Sequence, residues 1–388
     1  MREDELIFNA IEQTRKSDNK SALATIVNVK GSAYRREGAK MFIHENDHVI
    51  GMLSGGCLEA DVIEEARAVM RSGEPLLKTY ELDEALVWGL GLGCPGTVKI
   101  YIEPIYSFRE EKMAEQLNSP FEMWLRNMKE EKEGILATVL PDHKFKNGNK
   151  NQGRFFISRE NGDFGDLGDE NLNLQVRKIA KNKLAEENSH SETCLLMLPS
   201  GEEMNVFLDV YLPPAEIMIF GAGHDAVPVA KYAVSLGFKT TIVDEREAYN
   251  NEERFPHTER LIISKSEFHE KLTIGQRTYI IVMNHHLEKD SETLKFALPS
   301  KSPYIGVLGP YKRRTKILAA IKEEGISYGE WELKRLYSPI GLNIGAVTPE
   351  EIAISVIAEV IAKKNGYTGG FLQGSECIHH PKRNRLLV

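Results

Sequence analysis

EIMIFGAGHDAVPVAKYAVSLGFKTTIVDE, running from Glu216 to Glu245, is the stretch whose reading decides the fold. It spells a strand, a glycine turn, a helix and a second strand. The turn has the form G-x-G-x-x-A, with Gly221, Gly223 and Ala226, and Asp244 closes the second strand about 20 residues on, where a dinucleotide fold carries its ribose-binding acid. Glycine lets the backbone approach a phosphate, and the amides at the start of the next helix face the anion with a favourable dipole. The β-rich run before the turn, the amphipathic helix after it and the spaced acid together indicate a Rossmann-like unit with a parallel sheet.

The strands that follow extend this unit. TYIIVMNHHLEKD ends a β-run with His285, His286 and Asp290, and YIGVLGPYKRR is another strand ending in a glycine turn at Gly309 beside Lys312, Arg313 and Arg314. Ligands of open α/β sheets bind beyond the carboxyl ends of the strands, so His286 and the Gly309 turn are candidates to flank a phosphate-bearing ligand at the Gly221 turn. Polar surface is the alternative for each histidine alone. Further on, Thr348, Pro349 and Glu351 read as N-cap, first helical residue and capping-box acid, with Gly366 as the stop.

Upstream, the chain repeats itself. Setting the sequence from Ser21 above that from Gly134 brings Leu23-Ala24-Thr25-Ile26 onto Leu136-Ala137-Thr138-Val139, Gly38 onto Gly153, Gly51 onto Gly165, Leu58 onto Leu172, Val62 onto Val176 and Ala66 onto Ala180. An amphipathic helix precedes each copy, Leu6 to Thr14 and Phe121 to Lys129, and an alternating strand ends each, VKIYIEP and NVFLDVY. The expected organisation is a duplicated α/β unit over residues 1–210 (copies 1–105 and 119–210), a Rossmann-like unit over 211–370 entered through YLPPAE, and a tail over 371–388 holding Cys377, His379 and His380.

The duplication also acts as an internal control. Copy one carries KGSAYRREGAK, SGGCLEAD and GLGLGCPG; copy two has Asn171 opposite Cys57 and a short PSGEE turn in place of the Cys94 loop. The fold therefore does not require those cysteines. Cys57 follows Gly55 and Gly56 directly before a helical stretch that stops at Gly73. There a thiolate gains from the helix dipole and from unpaired amides, and the glycines leave room for a bulky ligand. A small core thiol is the alternative, and for Cys94 the two readings are evenly matched. Arg35, Arg36 and Lys40 frame Gly38 and offer cations to an anionic ligand near Cys57, a solvated hairpin being the alternative. The two cysteines do not make a zinc site, which takes four ligands at tighter spacing.

The bounds agree with an intracellular protein. The chain has 388 residues, 41% hydrophobic, with a net charge of −8. No basic stripe marks a nucleic-acid binder. Four cysteines in such a length form no disulfide framework, and neither a secretion signal nor a membrane-spanning run is legible, so a cytoplasmic setting is expected.

Taken in order, K-G-S-x-x-R-R-x-G-A-K-M, G-x-x-S-G-G-C-L-E, G-x-G-C, then G-A-G-H with His224, D-x-R-x(7)-R-F-P with Asp244 and Arg246, the histidine-rich strand end and P-I-G-L-x-I-G-A-x-T-P-E-E-I-A resemble the XdhC/CoxI family. These are accessory proteins of xanthine dehydrogenase and related molybdenum hydroxylases. Tyr34 stands where the family often has proline, and MNHH departs from the usual histidine-aspartate spacing. The resemblance implies a maturation factor, more a chaperone than a turnover enzyme. Such a factor binds molybdenum cofactor (molybdopterin) transiently, shields it while a cysteine desulfurase helps install the sulfido ligand, and delivers it to the apo-hydroxylase. Cys57 is by carry-over the residue that engages the cofactor, with Cys94 assisting, and a homodimer is a family-based expectation. The Rossmann-like unit takes either a nicotinamide nucleotide, NAD(P), or the phosphate or nucleotide part of the molybdopterin. A second function remains open on the residues alone: an NAD(P)-dependent oxidoreductase shuttling electrons through the thiols. It lacks a Tyr-x-x-x-Lys acid and a C-x-x-C pair.

Overall fold

The computed structural model describes residues 3–17, 19–31, 33–82, 96–106, 118–141, 153–186 and 189–374. Two compact units emerge, one running to Pro213 and the other spanning Pro214–Phe371. Among the described residues no helix is long and apolar enough to cross a membrane.

The first unit is built twice. Copy one runs α1 (Glu3–Arg15), β1 (Ser21–Gly31), β2 (Lys40–His44), β3 (Val49–Gly51), α2 (Glu59–Ser72), β4 (Leu76–Leu82) and β5 (Gly96–Ile105). Copy two runs α3 (Pro120–Lys129), β6 (Gly134–Val139), β7 (Arg154–Ser158), β8 (Gly162–Asp166), α4 (Glu170–Ala185), β9 (Glu192–Met197) and β10 (Glu203–Tyr211). Both form five-stranded antiparallel sheets with one strand order, β3-β2-β1-β5-β4 and β8-β7-β6-β10-β9. Even the registers correspond: Leu23 faces Phe42 and Glu103, as Leu136 faces Phe156 and Asp209.

The hairpin glycines show why the pattern survived in sequence. Gly51 and Gly165 both have positive φ, and a Cβ on either would lie within 2.4 Å of a backbone oxygen, that of Lys40 and of Arg154 respectively. No larger residue fits there. One pairing differs from the alignment. Ile26 N donates to Ala39 O as Val139 N donates to Gly153 O, so Gly153 answers Ala39 rather than Gly38.

Period-two alternation divides each sheet between two cores. Ala22, Ala24 and Ile26 of β1 pack under Val62, Ala66 and Val69 of α2. Ile135 and Ala137 of β6 likewise meet Leu172, Val176 and Ala180 of α4. The opposite faces share one cluster, in which Leu23, Phe42, Leu136 and Phe156 close on Ile7 and Ile11 of α1 and on Phe121, Trp124 and Leu125 of α3.

The second unit contains β11 (Glu216–Phe220), α5 (Ala226–Ser235), β12 (Lys239–Val243), β13 (Glu259–Leu261), β14 (Thr278–Val282), α6 (Leu287–Ala297), β15 (Tyr304–Val307), α7 (Tyr311–Glu323), β16 (Leu336–Tyr337) and α8 (Pro349–Asn365). All its strands are parallel in the order β13-β12-β11-β14-β15-β16. Ile217 and Ile219 face α5 and α8, whereas Met218 and Phe220 face α6 and α7. Helix α8 begins with the capping box of Thr348 and Glu351, has Pro349 in its first turn and stops at left-handed Gly366. Because the order reverses between β11 and β14, the crevice beyond their carboxyl ends is the topological switch point.

Candidate functional site

Each unit carries its own locus. In the first, α2 begins at Glu59, and Gly55, Gly56 and Cys57 lie in the preceding loop, exposed. The equivalent segment of copy two is helical. The offset that relates Gly51 to Gly165 puts Glu170 opposite Gly56, so α4 starts three residues earlier than α2. Asp169 caps α4 through the amide of Leu172.

Capture by two side chains explains the later start of α2. Ser54 Oγ accepts from the amides of Cys57 (3.0 Å) and Leu58 (3.1 Å). The Glu59 carboxylate accepts from the amides of Leu53, Ser54 and Leu58 and from the Ser54 hydroxyl. Copy two keeps only part of this, with Asn173 Oδ1 accepting from Leu167 N at 2.9 Å. Partial burial opposes ionisation of Glu59, but the hydrogen bonds from Ser54 and the loop amides outweigh it and hold the carboxyl below its ordinary pKa. The amides of Cys57 and Leu58 are therefore engaged by Ser54 and Glu59 rather than left open to a thiolate. Gly56 has φ +106, and among the described residues no atom lies within 4 Å of the place of its missing Cβ; the nearest described atom to that of Gly55 is on Tyr34, 3.9 Å away. The loop thus presents a thiol beside open space.

The cations of the neighbouring hairpin turn elsewhere. Arg35 makes a two-pronged ion pair with Glu3 of α1 (2.8 and 3.0 Å), which raises its already high pKa. Lys40 is buried against Asp209. Arg35, Arg36 and Lys40 line a cavity of about 330 Å³ between the copies, together with Trp124, His190 and Asp209. Cys94, Cys377, His379 and His380 lie outside the described residues. Among the described residues no three histidine, cysteine or acidic side chains gather as a metal site.

The second locus is the switch point. Gly221 has φ +110, and a Cβ there would sit 2.5 Å from Met283 O, so the end of β14 enforces glycine. Ala226, wholly buried, lets α5 lie close on the sheet. Asp244 does not face an open crevice. Its Oδ2 accepts from Ala222 N (2.7 Å) and from Arg246 Nη2 (2.6 Å), while Oδ1 accepts from Arg246 N and Nε, both at 2.9 Å. Burial resists its ionisation, but Arg246 and the two amides prevail and keep the carboxyl below its ordinary range.

Arg254, the second arginine of the D-x-R-x(7)-R-F-P run, donates to the carbonyls of Ala222 (2.9 Å), Gly223 (3.1 Å) and Tyr249 (2.8 Å). The Tyr249 ring lies under both guanidinium groups, 4.5 Å from Arg246 and 5.1 Å from Arg254, with the His224 ring 6.3 Å away. His286 is the residue before α6, and Gly309 has φ +120 against the Arg313 side chain, which grips buried Asp290.

His285, in the left-handed region at φ +55, meets Asp225 Oδ2 at 2.7 Å through Nε2. Glu59, Asp225 and Arg254 have no role legible from residue type and spacing alone. Only the motifs enclosing Glu59 and Arg254 signalled them, because the partners that define their roles are set by the folded loops.

A duplicated antiparallel α/β unit with Cys57 exposed on a loop, joined to a parallel 3-2-1-4-5-6 unit, defines a particular class of two-unit protein. Residues 14–81 match the model of the XdhC and CoxI family, and residues 217–360 match that of the XdhC Rossmann domain. A relative from Bacillus subtilis, named as a probable subunit of xanthine dehydrogenase, is 30% identical over 353 residues, 89% of this chain and 94% of that one. The molybdenum cofactor insertion chaperone PaoD of Escherichia coli is 23% identical over 342 residues, 88% of this chain and 82% of its own. The crystal structure of a xanthine dehydrogenase from Bacillus halodurans superposes with a TM-score of 0.71 at 29% identity, covering 93% of this chain and 96% of that one. The chain belongs to the XdhC/CoxI family.

Proposed function

We propose that this protein is an accessory factor for a molybdenum hydroxylase of the xanthine dehydrogenase type. It binds molybdenum cofactor, supports its sulfuration with sulfur from a cysteine desulfurase, and delivers it to the apoenzyme. The observation that carries the reading is the Cys57 loop: copy one unwinds a helix start to expose a thiol, and copy two, under the same fold, does not. The names borne by the Bacillus subtilis and Escherichia coli relatives support the same role.

The residues of the loop suit the task. Thiolate sulfur is a soft ligand, appropriate to a thiophilic metal centre. Gly56 leaves its flank open, and Ser54 and Glu59 fix the backbone so that the thiol is presented rather than buried. Bound cofactor supplies the metal chemistry of the client hydroxylase; this chain holds and shields it, with Cys94 as a second thiol. Arg35 is committed to Glu3 and Lys40 to Asp209, so the hairpin leaves the ligand to the thiol loop itself. The Rossmann-like unit has a crevice of its own at the switch point, suited to a phosphate-bearing ligand. A thiol-shuttling NAD(P) oxidoreductase draws less support, because Asp244 is already bound to Arg246 and Ala222.

The test is to purify the protein from cells that make molybdenum cofactor and measure molybdenum content and oxidised-pterin fluorescence. Stoichiometric recovery of both, lost in Cys57→Ala, is the expected result. Absence of both from the wild-type protein would sink the proposal.

A further inference from the structure

The second glycine of a G-x-G-x-x-A turn is there so that a diphosphate can approach the backbone. At Gly223 that space is taken. A Cβ built on Gly223 would lie 2.6 Å from Asp225 Oδ1 and 3.7 Å from His285 Cδ2. The other carboxylate oxygen, Oδ2, is bound by His285 Nε2 at 2.7 Å. His285 in turn comes from the segment after β14, on the far side of the switch point. The carboxylate also stands at the start of α5, where the dipole favours a negative charge. The unit thus supplies its own anion where a nucleotide would supply a phosphate. The ribose end is closed in the same way, since Asp244 is bound to Arg246 and to the Ala222 amide.

We infer that Asp225 is the specificity-determining residue of this turn: its carboxylate, steadied by His285 over Gly223, excludes nucleoside diphosphates and dinucleotides of the NAD type. A phosphate reaches the turn only when the Asp225 side chain leaves Gly223. The inference rests on reading the switch point as the ligand crevice of the second unit, as proposed above. It narrows what that crevice accepts.

ADP and NADH are the probes, titrated against the full-length protein by calorimetry and nicotinamide fluorescence. The wild-type chain is expected to bind neither with measurable saturation. Asp225→Ala gains ADP affinity by at least about tenfold, and Asp225→Asn, which keeps the shape and removes the charge, gains less. Adding Gly223→Val to Asp225→Ala returns binding to the wild-type level. Circular dichroism and the unfolding midpoint verify the fold of each variant, and Asp225→Ser replaces Asp225→Ala should the latter fail to fold. Equal binding by wild type and folded Asp225 variants, whether tight or absent in all, overturns the inference. Cys57-dependent cofactor retention, measured on the same preparations, separates the two readings: failure of the accessory role abolishes retention without altering the ADP series.

Discussion

Lys40, at the start of β2, forms a buried ion pair with Asp209 on β10, 2.8 Å away and 169 positions along the chain. The duplication makes a counterpart: Arg154, at the start of β7, reaches Glu103 on β5 at 2.6 Å. The registers equate the partners, since Thr25 faces Lys40 as Thr138 faces Arg154, and Leu23 faces Glu103 as Leu136 faces Asp209. Each copy therefore gives a cation to the other. The cations also lie over aromatic rings of α3, Lys40 over Trp124 and Arg154 over Phe121, both at 5.3 Å.

Breaking one pair should leave a buried charge uncompensated. Lys40→Met is expected to destabilise the first unit by about 3–5 kcal/mol, with Asp209→Leu in the same chain recovering much of the loss. Denaturant unfolding of the two single variants and the double variant measures the coupling. Additive losses would show that the two charges do not act as a pair.

The Glu59 carboxylate holds the loop that presents Cys57. Its folded pKa lies below the ordinary value. The stability it contributes is therefore complete above that ordinary value and is lost as pH falls through the lower folded one. Glu59→Gln should cost about 1–3 kcal/mol through the amides left unpaired and should flatten the acid limb of the stability profile. Thermal unfolding across the acid range checks this; an acid limb identical to that of the wild type would contradict it.

What was legible in the sequence was local. The Gly221 turn, the Thr348 cap and the hairpin glycines at Gly51 and Gly165 are fixed by neighbouring residues and backbone conformation, so their spacing survives as a readable signal. Lys40 reads in sequence as a cation for a ligand because its partner, Asp209, lies in the other copy and pairs with it only in the folded unit. The later start of α2 relative to α4 is not legible in sequence, because it arises from Ser54 and Glu59 competing with the helix for the same amides. Asp225 carries no signal, since one acid inside G-x-G-x-x-A looks like any variable position until Gly223 and His285 are seen around it.

Gly221 is expected to tolerate no side chain. In Gly221→Ala the methyl meets Met283 O at a positive φ. A loss of about 1–3 kcal/mol in the second unit follows from backbone strain alone, with further cost from the close contact. Hydrogen exchange should localise the loss to β11 and β14; an effect spread over the first unit would point to another cause.

Copy two offers a natural replacement for the thiol loop. Asp169-Glu170-Asn171 occupies the positions of Gly55-Gly56-Cys57 and forms a helix start in the same fold. Replacing the three residues by Gly55→Asp, Gly56→Glu and Cys57→Asn supplies the cap that Asp169 gives α4, in competition with Ser54 and Glu59 for the Leu58 amide, and should let α2 begin near residue 56. It should also stabilise the unit modestly, because two glycines leave a segment that becomes helical. Cys57→Ala alone removes an exposed sulfur and should leave stability nearly unchanged. Both proteins should lose cofactor retention by about tenfold or more, since metal affinity falls on that scale even when only an outer-shell partner is lost. Activation of a partner hydroxylase should fall in parallel, with Cys94→Ala giving an equal or smaller effect. Circular dichroism reports the added helical turn, and molybdenum and pterin content of the purified proteins report retention. Wild-type retention in folded Cys57→Ala would remove this thiol from the mechanism, whereas loss in the triple variant alone would assign the role to the shape of the loop.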